Sequence, residues 1–157
     1  MRCQRGLKLL EVFCNNHSVT GSMETFGSYE WKITDKSLIK RMINSKNGQS
    51  FESQIFNIAS LSWRLRLYPN GWSKANIGDF NVGLTLVKMP KSWNEIAVTR
   101  SIHIPNTHTK VVSFTKFTKN GHTVGCSFYS LSLSEIINMN FDLSFCVKIK
   151  FISFSIL

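Results

Sequence analysis

Acidic residues are scarce in this chain: nine Asp and Glu stand against nineteen Lys and Arg over 157 residues, a formal charge of +10. The nine are single and separated, so the sequence displays no carboxylate pair of the kind that serves acid–base hydrolysis. Cysteine is sparse as well. Cys3, Cys14, Cys126 and Cys146 include no Cys-x-x-Cys pair, which excludes a zinc-ribbon pattern and a dense disulfide framework and fits reduced thiols in a cytoplasmic protein. No G-x-S-x-G, G-x-x-x-x-G-K-[ST] or G-x-G-x-x-G segment occurs, so the nucleophile elbow, the phosphate loop and the dinucleotide turn are all missing. The histidines His17, His103, His108 and His122 lack metal-ligand spacing, and a set drawn from His122, Cys126 and Cys146 matches random placement as well as a site. With every catalytic pattern empty, the chain reads as a non-enzyme that needs no cofactor, no metal and no small-molecule substrate.

Long apolar runs are missing too. The most apolar stretch, near the C-terminal end, carries Lys148 and Lys150, which excludes a membrane span there. Near the other end Arg2, Arg5 and Lys8 precede Leu9, Leu10, Val12 and Phe13, but Glu11 interrupts that patch and no small-residue cleavage site follows, so a secretory signal is not expected. A mitochondrial presequence would rest only on those three basic residues. Residues 1–27 are read as an N-terminal extension of uncertain order.

What is present is alternation. Residues 61–71 carry the cleanest signal: Leu61, Trp63, Leu65 and Leu67 fall on one parity, Ser62, Arg64, Arg66 and Tyr68 on the other, and Pro69-Asn70-Gly71 then demands a turn. Tyr29, Trp31 and Ile33 alternate with Glu30, Lys32 and Thr34 in an earlier strand. Asp35 can cap a helix over residues 36–44, in which Leu38, Ile39, Met42 and Ile43 recur at helical spacing. Residues 50–58 alternate poorly and suggest a strand with a bulge near Ile55-Phe56. Half-buried strands follow at residues 80–86, 96–98, 102–104 and 111–117, with Arg100 the polar exception on an apolar parity and Asn120-Gly121 closing a hairpin. Pro105-Asn106 predicts a turn, and Leu131, Leu133, Ile136 and Ile137 suggest one helical turn near Ser134-Glu135. Finally Phe141, Leu143, Phe145, Val147, Ile149 and Phe151 share a parity, which Ile152, Phe154 and Ile156 then switch, so residues 151–157 are either a bulged strand end or a tail. About eight short strands without a βαβ rhythm predict an all-β antiparallel sandwich or barrel.

Several of these segments together resemble the MATH domain, the meprin and TRAF homology family. The carriers are Tyr29-Glu30-Trp31-Lys32-Ile33, the run from Trp63 to Gly71, Val82-Gly83-Leu84-Thr85-Leu86, Gly125-Cys126-Ser127-Phe128, and the closing strand at residues 142–150. The resemblance covers residues 28–150. It implies an eight-stranded antiparallel β-sandwich with one short helix after the first strand, a non-catalytic module that binds short extended peptide segments of partner proteins. By the same matching, the peptide groove runs past Asp79, Asn81 and Gly83 on the outward face, past Val98 and Arg100, and along His122, Thr123, Val124, Gly125 and Ser127. The chain departs from the substrate-adaptor branch of the family, which has an aromatic where Gly83 stands and Trp-Gly-Phe where Thr123-Val124-Gly125 stands.

Two other readings stay open from the residues alone. One is a structural or homo-oligomerising sandwich without a groove. The other is a basic nucleic-acid-binding domain, in which Trp72, Phe80 and Trp93 beside Lys74, Lys88 and Lys91 would stack bases. Against the latter, the basic residues are dispersed, with no run of five like charges.

Overall fold

The computed structural model describes residues 8–15, 18–104, 110–128, 133, 135 and 143–156, and over them the alternation closes into two antiparallel sheets with one apolar interior. In chain order the elements are β1 (Lys8–Asn15), β2 (Ser18–Ile33), α1 (Lys36–Ile43), β3 (Phe51–Glu52), β4 (Phe56–Ile58), β5 (Leu61–Tyr68), a 3-10 turn at Lys74–Asn76, β6 (Phe80–Lys88), β7 (Trp93–His103), β8 (Lys110–Phe117), β9 (Thr123–Phe128) and β10 (Leu143–Ile156). One sheet has the order β1-β2-β10-β7-β8 and the other β3-β5-β6-β9, with β4 also paired to β5.

β5 is the strand on which the second sheet is assembled. Its apolar parity is buried and its polar parity is half-exposed, residue by residue. Trp63 has no exposed surface, meets Phe117 of the other sheet edge-on at 5.3 Å, and donates from Nε1 to the Ile58 carbonyl at 3.2 Å. Phe80 stacks on Phe145 across the interior at 5.6 Å, so large rings from both sheets interdigitate along the core. The turn after Tyr68 is a steric requirement. Gly71 has φ +76°, and a Cβ there would lie 1.8 Å from the Asn76 carbonyl oxygen. Asn47 then ties the turn down, its Nδ2 donating to the carbonyls of Asn70 and Ser73 at 2.8 Å each.

The helix lies where its cap predicts. The Asp35 carboxylate accepts from the Ser37 and Leu38 backbone N–H groups at 2.8 and 3.3 Å, and hydrogen bonds led by the Ser37 side chain hold its pKa below the usual carboxylate value. Met42 is the fully buried side chain of that helix.

Among the described residues ten strands stand where eight were expected: β1 and β9 are added and the strand at 50–58 is split, while two expected strands merge into β7. The strand expected from Tyr29 begins at Ser18 and forms a hairpin with β1, so strand structure runs through much of the segment read as an extension. The strand expected at residues 50–58 is split into β3 and β4 at Ser53. Its N–H still donates to the Leu65 carbonyl at 2.9 Å, but its Oγ accepts from the Leu65 N–H at 3.0 Å, in the place its carbonyl would take, and Gln54 and Ile55 then leave the ladder with Ile55 exposed. The separate segments at 96–98 and 102–104 are one strand, β7. At the C-terminal end the bulge wins over the tail: β10 pairs with β2 as far as Ile156, with a register shift between Phe151 and Phe154. Leu133 and Glu135 are helical, and Leu133 is buried; the rest of the turn expected there, the Pro105-Asn106 turn, Phe141 and Asp142 lie outside the described residues.

Candidate functional site

β9 ends its sheet and pairs with β6 alone among the described residues, which leaves its other edge as the natural place for an added strand. The β6–β9 register sets Asn81 opposite Ser127, Gly83 opposite Gly125 and Thr85 opposite Thr123. The two facing glycines leave a gap on the outer side of the sheet, and Trp72 from the loop after β5 fills it. A Cβ on Gly125 would come within 2.0 Å of the Trp72 ring, and one on Gly83 within 2.7 Å of Thr123 Cγ2. Tyr68 meets Trp72 edge-on at 6.5 Å, while Trp72 itself keeps 42% of its surface exposed. Beside the open edge of β9 there is therefore a rigid aromatic ledge. Gly71 and the Asn47 clamp set its position.

Beneath this edge the interior is polar. Arg100, on the inward parity of β7, is 2% exposed, and its side chain crosses between the sheets. Its Nε donates to Ser113 Oγ at 3.0 Å, one guanidinium nitrogen donates to the Val124 carbonyl, and the other to the Gly125 carbonyl at 2.9 Å. A single charged group thus braces the backbone of β9 against the opposite sheet.

The residues predicted as a groove are only partly brought together. His122, Thr123, Val124, Gly125 and Ser127 lie on or next to β9. Asp79 sits in the loop leading into β6, with its carbonyl accepting from Asn81 Nδ2 at 3.1 Å. Asn81 and Gly83 lie on the outer parity as expected but are not exposed there: β6 is buried on both faces, with Asn81 fully enclosed, β5 and β9 flank it, and Thr123 Cγ2 lies over Gly83. Val98 is a core side chain with no exposed surface, and Arg100 acts from within rather than from a groove wall. Period-two alternation separates two faces but does not reveal what covers the second.

Trp72, named from the sequence only among base-stacking candidates, is a residue whose place beside β9 the chain order does not reveal. Its neighbour is Gly125, more than fifty positions away, and only the strand register brings the two together. Of the other stacking candidates, Phe80 is buried and Trp93 stacks on Phe154 at 4.5 Å. On the outer face of the same sheet, Glu52 bridges Arg66, whose Nε lies at 2.9 Å, and also contacts Arg64. Burial pushes the Glu52 carboxyl up, but the two guanidinium groups together outweigh it and leave its pKa lowered.

Among the described residues no cluster of three potential metal ligands exists, and no helix is long and apolar enough to cross a membrane. The Cys146 thiol is held above its ordinary pKa by burial and by Glu30. A search of curated proteins returned no match to the chain. The family model described as MATH domain matches residues 28–141, and its span takes in β5, the Trp72 loop, Arg100 and all of β9. The chain belongs to the MATH domain family.

Proposed function

We propose that the protein recruits partner proteins by pairing a short extended peptide with the open edge of β9, beside the Trp72 ledge. MATH domains are generally non-catalytic protein-interaction modules, which supports the class of function. The observation that carries the reading is the single-sided pairing of β9 next to an exposed aromatic ring seated on Gly125. An added strand gains backbone hydrogen bonds from the edge, and its alternate side chains meet the ledge. Contact falls to His122, Thr123, Gly125 and Ser127, with Asp79 at the rim. Asn81, Gly83, Val98, Val124 and Arg100 shape and brace the site from beneath. Such a module would serve in the cytoplasm as an adaptor that brings partners to a ubiquitination or signalling assembly formed by other chains.

The test is a peptide array followed by titration of the binders. Trp72→Ala should weaken the peptides whose binding protects residues 123–128 at least about tenfold, as loss of an aromatic anchor does, while circular dichroism stays native. Binders indifferent to that change and to Thr123→Pro would overturn the reading.

One observation favours a second reading, self-association. On β8, which ends its sheet among the described residues, Val112 and Phe114 are each 58% exposed on one face, an apolar surface that a second copy would cover. Sedimentation velocity over a concentration series decides it, since a strict monomer removes it.

A further inference from the structure

At the end of the sandwich where β5 runs into its turn, two asparagines tie three short segments together. The Asn70 side chain donates to the Ser45 carbonyl at 3.3 Å and accepts from the Gly78 N–H at 2.9 Å, while Asn47 donates to the carbonyls of Asn70 and Ser73. The C-terminal end of α1, the Trp72 loop and the approach to β6 are thereby held side by side. Each carries an apolar side chain on the outside: Ile43 is 48% exposed, Trp72 42% and Ile77 63%. Half of the exposed large hydrophobic side chains among the described residues lie in these segments, so they are a local feature rather than scatter.

The charge there has one sign. Residues 36–48 and 70–78 contain no Asp or Glu, whereas Lys40, Arg41, Lys46 and Lys74 are all exposed and put a cation within three residues of each apolar tip. Asp35 and Asp79 border the two segments, and the Asp35 carboxylate is taken up in capping α1. The backbone is already used: the N–H groups of Gly48, Gln49, Asn76, Gly78 and Asp79 donate within or between these loops, so no strand can be added there. A Cβ on Gly78 would meet nothing within 4 Å, so the tip beside Ile77 projects into open space. A projecting apolar side chain gains little from a rigid partner without a matching hollow, whereas a fluid bilayer closes round it. Tryptophan and aliphatic side chains enter the boundary between headgroups and acyl chains, and Lys and Arg reach back to the lipid phosphates. Four cations without an intervening acid match the negative charge of an anionic leaflet.

We propose that this end of the sandwich docks on an anionic phospholipid surface, with Ile43, Ile77 and the exposed part of Trp72 entering the headgroup layer and the four cations against lipid phosphates. Because Trp72 sits on Gly125, docking holds β9 next to the bilayer. On the peptide-pairing reading of β9, the segments it takes then belong to membrane-proximal proteins. The lipid surface does not rest on that reading, since Ile43, Ile77, Lys46 and Lys74 take no part in the peptide contact.

The experiment sediments the full chain with vesicles of equal parts phosphatidylcholine and phosphatidylserine, and with vesicles of phosphatidylcholine alone. Binding is expected to the former only and should fall as salt rises. Lys46→Glu with Lys74→Glu should weaken it at least about tenfold, at a factor of about five for each basic residue near an anionic surface. Ile43→Ser with Ile77→Ser should also weaken it at least about tenfold, through lost apolar burial. All four positions are exposed, so circular dichroism should stay native. The control is Lys91→Glu with Lys119→Glu, an equal charge change at exposed positions beyond the far end of β6. At roughly 30 Å along that strand these lie well outside a Debye length, and binding should change less than about twofold. The proposal is overturned if the vesicles are not bound, if both charge reversals weaken binding equally, which means adsorption by net charge alone, or if the isoleucine pair has no effect. Tighter binding of polyglutamate or of single-stranded polyuridylate than of vesicles, lost with the same substitutions, overturns it by naming an acidic protein or an RNA as the partner. Peptides that protect residues 123–128 should bind the isoleucine-pair variant as they bind the parent, so failure at β9 and failure here are separately visible.

Discussion

Arg100 is the residue at which sequence and structure meet most directly. Its place on an apolar parity is visible in the chain, and the three hydrogen bonds that stabilise it there are visible only once β7 is stacked over β9. Replacing Arg100 with Met fills much of the same volume but leaves the Val124 and Gly125 carbonyls without that donor. The expected loss is about 1.5–3 kcal/mol, the range for hydrogen bonds to a charged group, measured by urea unfolding; a loss near zero would mean that the brace contributes nothing. A second residue-scale effect lies in the β4–β5 hairpin. Ala59 and Ser60 form its two-residue turn with φ +54° and +60°, a conformation that favours Asn-Gly and that neither residue adopts cheaply. Ser60 is exposed, so Ser60→Gly removes strain without touching the core and should stabilise the fold by about 1 kcal/mol. A fall in the urea midpoint would contradict the strain argument.

Among the elements, β3 and β5 are joined on their outer face by charge. Because its guanidinium partners lower the Glu52 pKa in the folded state, the stabilisation is complete above the ordinary Glu value and is lost as pH falls through the lowered one. Glu52→Gln should therefore be less stable than the parent at neutral pH, and the gap should narrow below about pH 4. Parallel stability curves down to strongly acidic pH would refute it. Element boundaries were legible where a side chain ends the element by local chemistry. Asp35 capping α1 and Gly71 ending the turn after β5 are such cases, since both depend on neighbours within a few residues. The break at Ser53 was not legible as a break. Its hydroxyl competes with the backbone for Leu65, a partner twelve positions away, and nothing local distinguishes it from any other strand serine.

At the scale of the whole molecule, β1 pairs only with β2 among the described residues, at the margin of its sheet. A chain beginning at Ser18 is expected to keep its β-sheet circular dichroism and lose no more than about 1–2 kcal/mol, a change of several degrees in Tm for a domain of this size. Loss of cooperative unfolding on that truncation would make the β1 hairpin part of the folding unit. Trp63→Ala, by contrast, should cost about 3–5 kcal/mol, because it empties a fully enclosed site that touches both sheets.

The sequence by itself determined the class of fold, the core parities of β5, β7 and β10, the helix cap and the resemblance carried by residues 61–71, because alternation, capping and turn chemistry act between near neighbours. It could not decide which strand edges stay open, that Trp72 roofs Gly125, or that β6 is covered on both faces. Those depend on pairing between segments distant in the chain. A strand's own pattern says which of its faces is apolar, but only the completed sheets say which strand lies at the margin and what covers it.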